Sequence, residues 1–109
     1  MNNSIFKLFE YDNHKHMDLD EIKIKDQVQR MLSDYQNMIW FAALSFVKNY
    51  ELADEVAEDV QNRVLSEPIN ELAIKHFDLY LSAVISDEAM KRINEAIINA
   101  NEKNKMMLS

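Results

Sequence analysis

Glycine, threonine and cysteine are absent from this chain of 109 residues, and proline occurs once. Without glycine there is no phosphate-cradling loop of the P-loop or dinucleotide-binding kind, no unstrained two-residue hairpin turn and no glycine to end a helix. Helix is the structure these exclusions leave. A chain that must turn without glycine can place asparagine in the left-handed region, and eleven asparagines are present for that purpose and for helix caps. Without cysteine there is no disulfide framework, thiolate metal site or thiol nucleophile, which fits a reducing compartment. The first residues, Met1 to Lys7, lack the charged start and long apolar stretch of a secretion signal. The longest apolar run, Met38 to Val47, is about half of the ~20 residues a membrane-spanning helix needs. A cytoplasmic protein with no membrane partner is expected.

Apolar residues make up 48% of the chain and charged residues 28%, a balance that folds rather than stays disordered. At this length one domain over residues 1–109 is expected: an all-α bundle of about four helices, with an irregular or short-strand N-terminal arm (1–17) and a frayed tail (104–109). The arm carries Ile5, Phe6, Leu8, Phe9 and Tyr11, and its pattern is open between a strand, a helical turn and a segment lying on a partner. A first helix starts near Asp18 or Asp20, either of which suits an N-cap, and runs to about Lys48 with a break near Ser33-Asp34. Its second half, Met38 to Val47, is apolar on every side, which predicts the centre of a bundle or a subunit interface.

Asn49 marks the next turn, and a second helix over about 51–65 repeats Leu52, Val56, Val60 and Val64 at every fourth position. Pro68 suits the first position of a third helix, about 68–85, whose broad face carries Leu72, Phe77 and Leu81. Ser86, followed by Asp87 and Glu88, predicts the N-cap of a fourth helix. In that helix Met90, Ile93, Ile97 and Ala100 take a/d-like spacing, and Lys103 and Lys105 suit its C-terminal end. Trp40, Phe41, Leu44, Val56, Val60, Leu72, Phe77, Leu81, Ile93 and Ile97 are expected in the core or in an interface. No internal repeat or low-complexity segment is evident.

The net charge of −7 is unevenly spread. Residues 1–50 are close to balance, whereas 51–71 hold Glu51, Asp54, Glu55, Glu58, Asp59, Glu67 and Glu71 against Arg63 alone. A phosphate backbone repels such a chain, so no direct nucleic-acid binding is expected; the basic residues Lys91, Arg92, Lys103 and Lys105 are diluted by Glu88, Glu95 and Glu102. Glu51/Glu55, Asp54/Glu58 and Glu55/Asp59 are like-charge pairs one turn apart, each unfavourable by about 0.2–0.5 kcal/mol. By that argument, neutralising Glu55, Glu58 and Asp59 should leave stability equal or slightly higher. The face reads either as a solvated helix surface or, because local conflicts of this kind are often functional, as one kept for a basic partner. Glu51, Asp54, Glu55, Glu58 and Asp59 are therefore the candidate partner-binding residues, and Ile5, Phe6, Phe9 and Trp40 the candidate interface residues.

Other chemistry is thin. His14-x-His16, flanked by Asp12 and Asp18, has donors for a divalent cation but no third ligand at a strong spacing, so solvated side chains and no metal site are expected. His76, beside the apolar face of the third helix, reads as a boundary residue. No serine sits in an elbow-type turn, and the Glu-x-x-His pattern of di-metal bundles does not occur. No catalytic residue, cofactor or enzymatic activity is expected.

Residues 35–65 run from Tyr35 through the aromatic-rich stretch Trp40-Phe41 to Glu51-Leu52-Ala53-Asp54-Glu55-Val56-Ala57-Glu58-Asp59-Val60 and Arg63. This segment, about a quarter of the chain, resembles the first two helices of region 2 in sigma factors of the extracytoplasmic-function type. The resemblance implies that Asp54, Glu55, Glu58, Asp59 and Arg63 would contact an RNA polymerase clamp. Glu58 stands where that family has glutamine, and the promoter-melting aromatic and basic residues and a region 4 are missing, so a complete sigma factor is not expected.

These readings lead to a small acidic helical regulator or inhibitor, of bacterial or phage origin, that binds and blocks a protein partner with a basic surface. A DNA-mimic inhibitor of a nucleic-acid-binding enzyme and a transcription accessory factor on RNA polymerase are the alternatives. Homodimerisation is expected, because the apolar segment 38–47 and the N-terminal arm exceed what a bundle this small readily covers.

Overall fold

A computed structural model describes residues 19–108, which form five helices: α1 (Leu19–Asp34), α2 (Gln36–Val47), α3 (Tyr50–Ser66), α4 (Glu71–Lys75) and α5 (Phe77–Leu108). The fold is all-α, and no strand occurs among the described residues. The N-terminal arm, with Ile5, Phe6, Phe9, the His14/His16 pair and Asp18, lies outside them.

The break expected near Ser33-Asp34 falls at Tyr35. Its N–H donates to both Met31 O (3.0 Å) and Leu32 O (3.2 Å), so the chain bends without losing its hydrogen-bond ladder. The Tyr35 ring meets Phe77 edge-on at 5.6 Å, tying the bend to the start of α5. α2 ends on Lys48, the one left-handed residue among those described (φ 54°), whose N–H bonds Leu44 O at 2.7 Å. Asparagine was the expected occupant of such a position. Instead Asn49 is extended and caps α3, its side chain accepting from the N–H of Leu52 at 2.9 Å.

Pro68 ends α3 rather than beginning a helix. The residue before a proline is pushed out of the helical region, and Glu67 is extended (φ −90°, ψ 145°). Helix resumes only at Glu71, capped by Asn70, whose side chain accepts from Ala73 N at 3.0 Å. The next interruption is at His76, and from Phe77 a single helix of 32 residues follows. Ser86 lies inside it and caps nothing, and the helix passes Asn104, where fraying was expected, to reach Leu108.

α2 and α3 run antiparallel, joined by Lys48-Asn49, and α5 packs across both. The core takes Ile39 and Ala43 from α2, Ala53, Val56, Val60 and Val64 from α3, and Phe77, Leu81, Val84 and Ile85 from α5, with Val28 and Leu32 from α1. The segment 38–47 is not buried all round: Phe41 and Phe46 are exposed, and Trp40 and Leu44 are half-buried. α2 touches α3 and α5 on two sides and leaves a third open. Leu72 and Ile97, read as core or interface, are also exposed in the single chain.

Candidate functional site: an acidic and aromatic edge

The open side of α2 and the first turns of α3 meet at the Lys48-Asn49 turn. Adjacent positions on a helix diverge by about 100°, so Ile39 and Trp40 cannot both face the core. Ile39 takes it, and Trp40 turns toward α3. There the indole stacks on the ring of Tyr50 (centroids 5.8 Å apart, planes 15° apart), and Phe41 meets it edge-on at 5.2 Å. Trp40 Nε1–H donates to Asp54 Oδ1 at 2.7 Å, which fixes the indole and orients the carboxylate. Tyr50 is 71% exposed and Phe41 is exposed as well, so the stack is a surface feature.

This geometry joins two groups that the sequence kept apart: Trp40, a candidate interface residue, and Asp54, a candidate partner-binding residue. It also divides the acidic set. Glu55 and Asp59 face α5, where Arg92 reaches Asp59 Oδ2 through Nε at 2.8 Å and Glu55 Oε2 through an Nη at 3.5 Å. The bond to Asp59 raises the Arg92 pKa; partial desolvation opposes it, and the charges of Asp59, Glu55 and Glu95 add to it. Glu51 and Glu58 are exposed and make no ion pair among the described residues. The outward carboxylates of the edge are therefore Glu51 and Glu58, with Asp54 held against the indole.

Sequence reasoning missed the second ion-pair cluster. Arg63 leaves α3 one turn beyond Asp59 and donates to Asp87 Oδ2 (2.6 Å) and Glu88 Oε2 (2.9 Å) on α5. Its Nε lies 3.2 Å from Glu67 Oε1, within ion-pair reach but not aligned as a hydrogen bond. Lys91 joins at 3.1 Å from Glu88. Burial alone would lower the Arg63 pKa, but the bonds to Asp87 and Glu88 and the charges of Glu67 and Asp87 outweigh it and hold the guanidinium above its ordinary value. Glu88, 8% exposed, is the buried charged residue of the core. A lone arginine amid seven acids was the available signal, as was the acidic pair Asp87-Glu88 one turn before Lys91-Arg92.

Exposed aromatic faces beside unpaired carboxylates suit a guanidinium or ammonium group, which the ring attracts through its quadrupole and the carboxylate through charge. No group of three or more His, Asp or Glu side chains among the described residues is arranged to hold a metal ion. No helix among them is long and apolar enough to cross a membrane. The resemblance of residues 35–65 to sigma region 2 maps onto α2 and α3, where three of the implied clamp contacts, Glu55, Asp59 and Arg63, are engaged within the chain by α5. No family model, curated protein or solved structure matches this protein.

Proposed function

We propose that this protein is a small non-enzymatic regulator that binds the basic surface of a partner protein through the edge formed by Trp40, Phe41, Tyr50, Glu51, Asp54 and Glu58, and acts by covering that surface. One observation carries the reading: the solvent-facing Trp40–Tyr50 stack with its indole tied to Asp54. A half-buried indole stacked on an exposed tyrosine ring beside free carboxylates has the composition of an interface anchor, since Trp and Tyr dominate the energetics of protein contacts. The reading keeps the cytoplasmic location expected from the sequence and needs no cofactor.

Trp40 is the only tryptophan, so its fluorescence reports on the edge without a label. Titration with a synthetic arginine-rich peptide should give a saturable change at about 50 mM salt that weakens markedly at about 300 mM, because exposed charges are screened and act mainly on encounter. Glu51→Gln with Glu58→Gln should flatten the salt dependence while leaving the helical circular dichroism unchanged. An unchanged response in that double variant, or an equal response to an acidic peptide, would remove the edge from the mechanism. Retention of RNA polymerase or of a nucleic-acid-binding enzyme on the immobilised protein would favour the transcription-accessory or DNA-mimic form of the same binding reading.

A further inference from the structure

α5 has two apolar faces. One packs on α2 and α3 through Phe77, Leu81, Val84 and Ile85. The other lies on the opposite side, since at about 100° per residue its positions fall half a turn from Leu81 and Ile85. Its large residues are Leu79, Met90, Ile93 and Ile97, and Ala83, Ser86 and Ala100 stand between and after them. From Leu79 to Asn104 the spacing alternates four and three without a break, which is the repeat of a coiled-coil seam. This seam is open to solvent at Leu79 (64% exposed), Met90 (46%) and Ile97 (52%), and half-buried at Ser86 and Ile93.

The C-terminal half of α5 adds a physical requirement. Every residue from 94 to 106 is exposed, so no other part of the described chain buries it. This stretch extends a helix already begun by the packed residues 77–93, so it gains only by propagation, and it contains Asn94, Asn99, Asn101 and Asn104, all weak helix formers. A second helix lying along the seam would supply the missing stabilisation.

We infer that the exposed seam of α5 is a homodimer interface, in which the α5 helices of two copies pair over Leu79 to Asn104. Three observations select a second copy as the occupant. An unbroken seam of this spacing is self-complementary, because the partner must present the same repeat. The residues flanking it, Ser82, Ala89, Ala96 and Lys103 on one side and Tyr80, Asp87, Asn94 and Asn101 on the other, hold two charges of opposite sign, Lys103 and Asp87, so neither orientation brings rows of like charges together. Glu55 and Asp59 of α3 meet α5 at Arg92, which is not a seam residue, so pairing along the seam does not set these acids of the two copies against each other. The area is sufficient: about 40 Å of helix and a third of its accessible circumference give about 550 Å² per copy and about 1,100 Å² in all, above the roughly 1,000 Å² of a specific interface. Self-association is expected from the sequence of residues 38–47 and the N-terminal arm; pairing through the seam places it on α5 instead, and the arm lies outside the described residues.

Ile97 and Ile98 supply the test, because they are adjacent and equally exposed (52% and 55%) but only Ile97 is on the seam. Sedimentation equilibrium of the full chain should give twice the 12.8 kDa chain mass at micromolar concentration. Ile97→Glu should weaken the dimer at least about tenfold, and Ile98→Glu should leave it intact. Asn104→Leu, which replaces the polar residue at the end of the seam, should tighten it about tenfold or more, and this gain reads the seam even if Ile97→Glu loses helix content. A wild-type monomer at about 100 µM would overturn the proposal. So would equal weakening by Ile97→Glu and Ile98→Glu, or an unchanged dissociation constant in Asn104→Leu.

Discussion

Lys48 occupies a left-handed conformation that costs a residue with a Cβ roughly 1 kcal/mol or more, and it does so because no glycine is available to end α2. The two side-chain caps nearby go to Asn49 and Asn70, where a short oxygen acceptor reaches a free helix N–H. Tyr80 is the other residue whose position has a measurable consequence. Burial holds its phenol above the ordinary pKa, the Glu67 charge adds to this, and Arg63 partly opposes it. A phenol with a raised folded-state pKa contributes stability in full below its unfolded value of about 10 and loses it as pH rises through the folded value. Urea midpoints should therefore fall as pH rises above about 10, and Tyr80→Phe should flatten that decline. An equally steep decline in the variant would show that the alkaline loss originates elsewhere.

Among the helices, α5 departs most from the sequence pattern. Ser86-Asp87-Glu88 has the composition of a helix start, but the N–H groups following Ser86 already have helical partners, because Val84 and Ile85 continue the apolar face onto Glu88 and Ala89. Tertiary packing overrides the local signal. Substitution separates the two arrangements. Ser86→Ala should be neutral or slightly stabilising, since alanine is the better residue inside a helix, whereas Asn49→Ala should cost about 1 kcal/mol through loss of the α3 cap. A cost near 1 kcal/mol for Ser86→Ala in chemical denaturation would show that a helix does begin there.

On the scale of the molecule, the fold is elongated, with a Cα radius of gyration of 16.8 Å against about 13 Å for a compact chain of this length. Its principal extents are 59 × 29 × 22 Å, and α5 accounts for the long dimension: 32 residues at about 1.5 Å each extend past the packed body. The body is held to α5 by the apolar core and by two ion-pair clusters, Arg92 with Asp59 and Glu55, and Arg63 with Asp87 and Glu88. The first cluster reverses the expectation that neutralising the acids of α3 relieves repulsion. Glu55→Gln with Asp59→Asn should destabilise the fold by about 0.5–1.5 kcal/mol, because Arg92 loses both charged partners in a half-exposed site. Equal or higher stability of this variant in urea would restore the simple repulsion argument.

The sequence by itself determined the helical class, the positions of α1 to α3 to within a few residues, and the identity of the buried stripe Val56, Val60 and Val64. These follow from local facts: the absence of glycine, the 3.6-residue period and the reach of an asparagine side chain to the third N–H beyond it. The tertiary structure alone decided which of two adjacent residues, Ile39 or Trp40, faces the core, and that Arg63 and Arg92 answer acids some 24 to 37 positions away. It also decided that residues 77–108 are one helix with a second apolar face left open. Each of these depends on how helices cross, and a crossing is set by side chains distant in sequence competing for the same volume and the same charge.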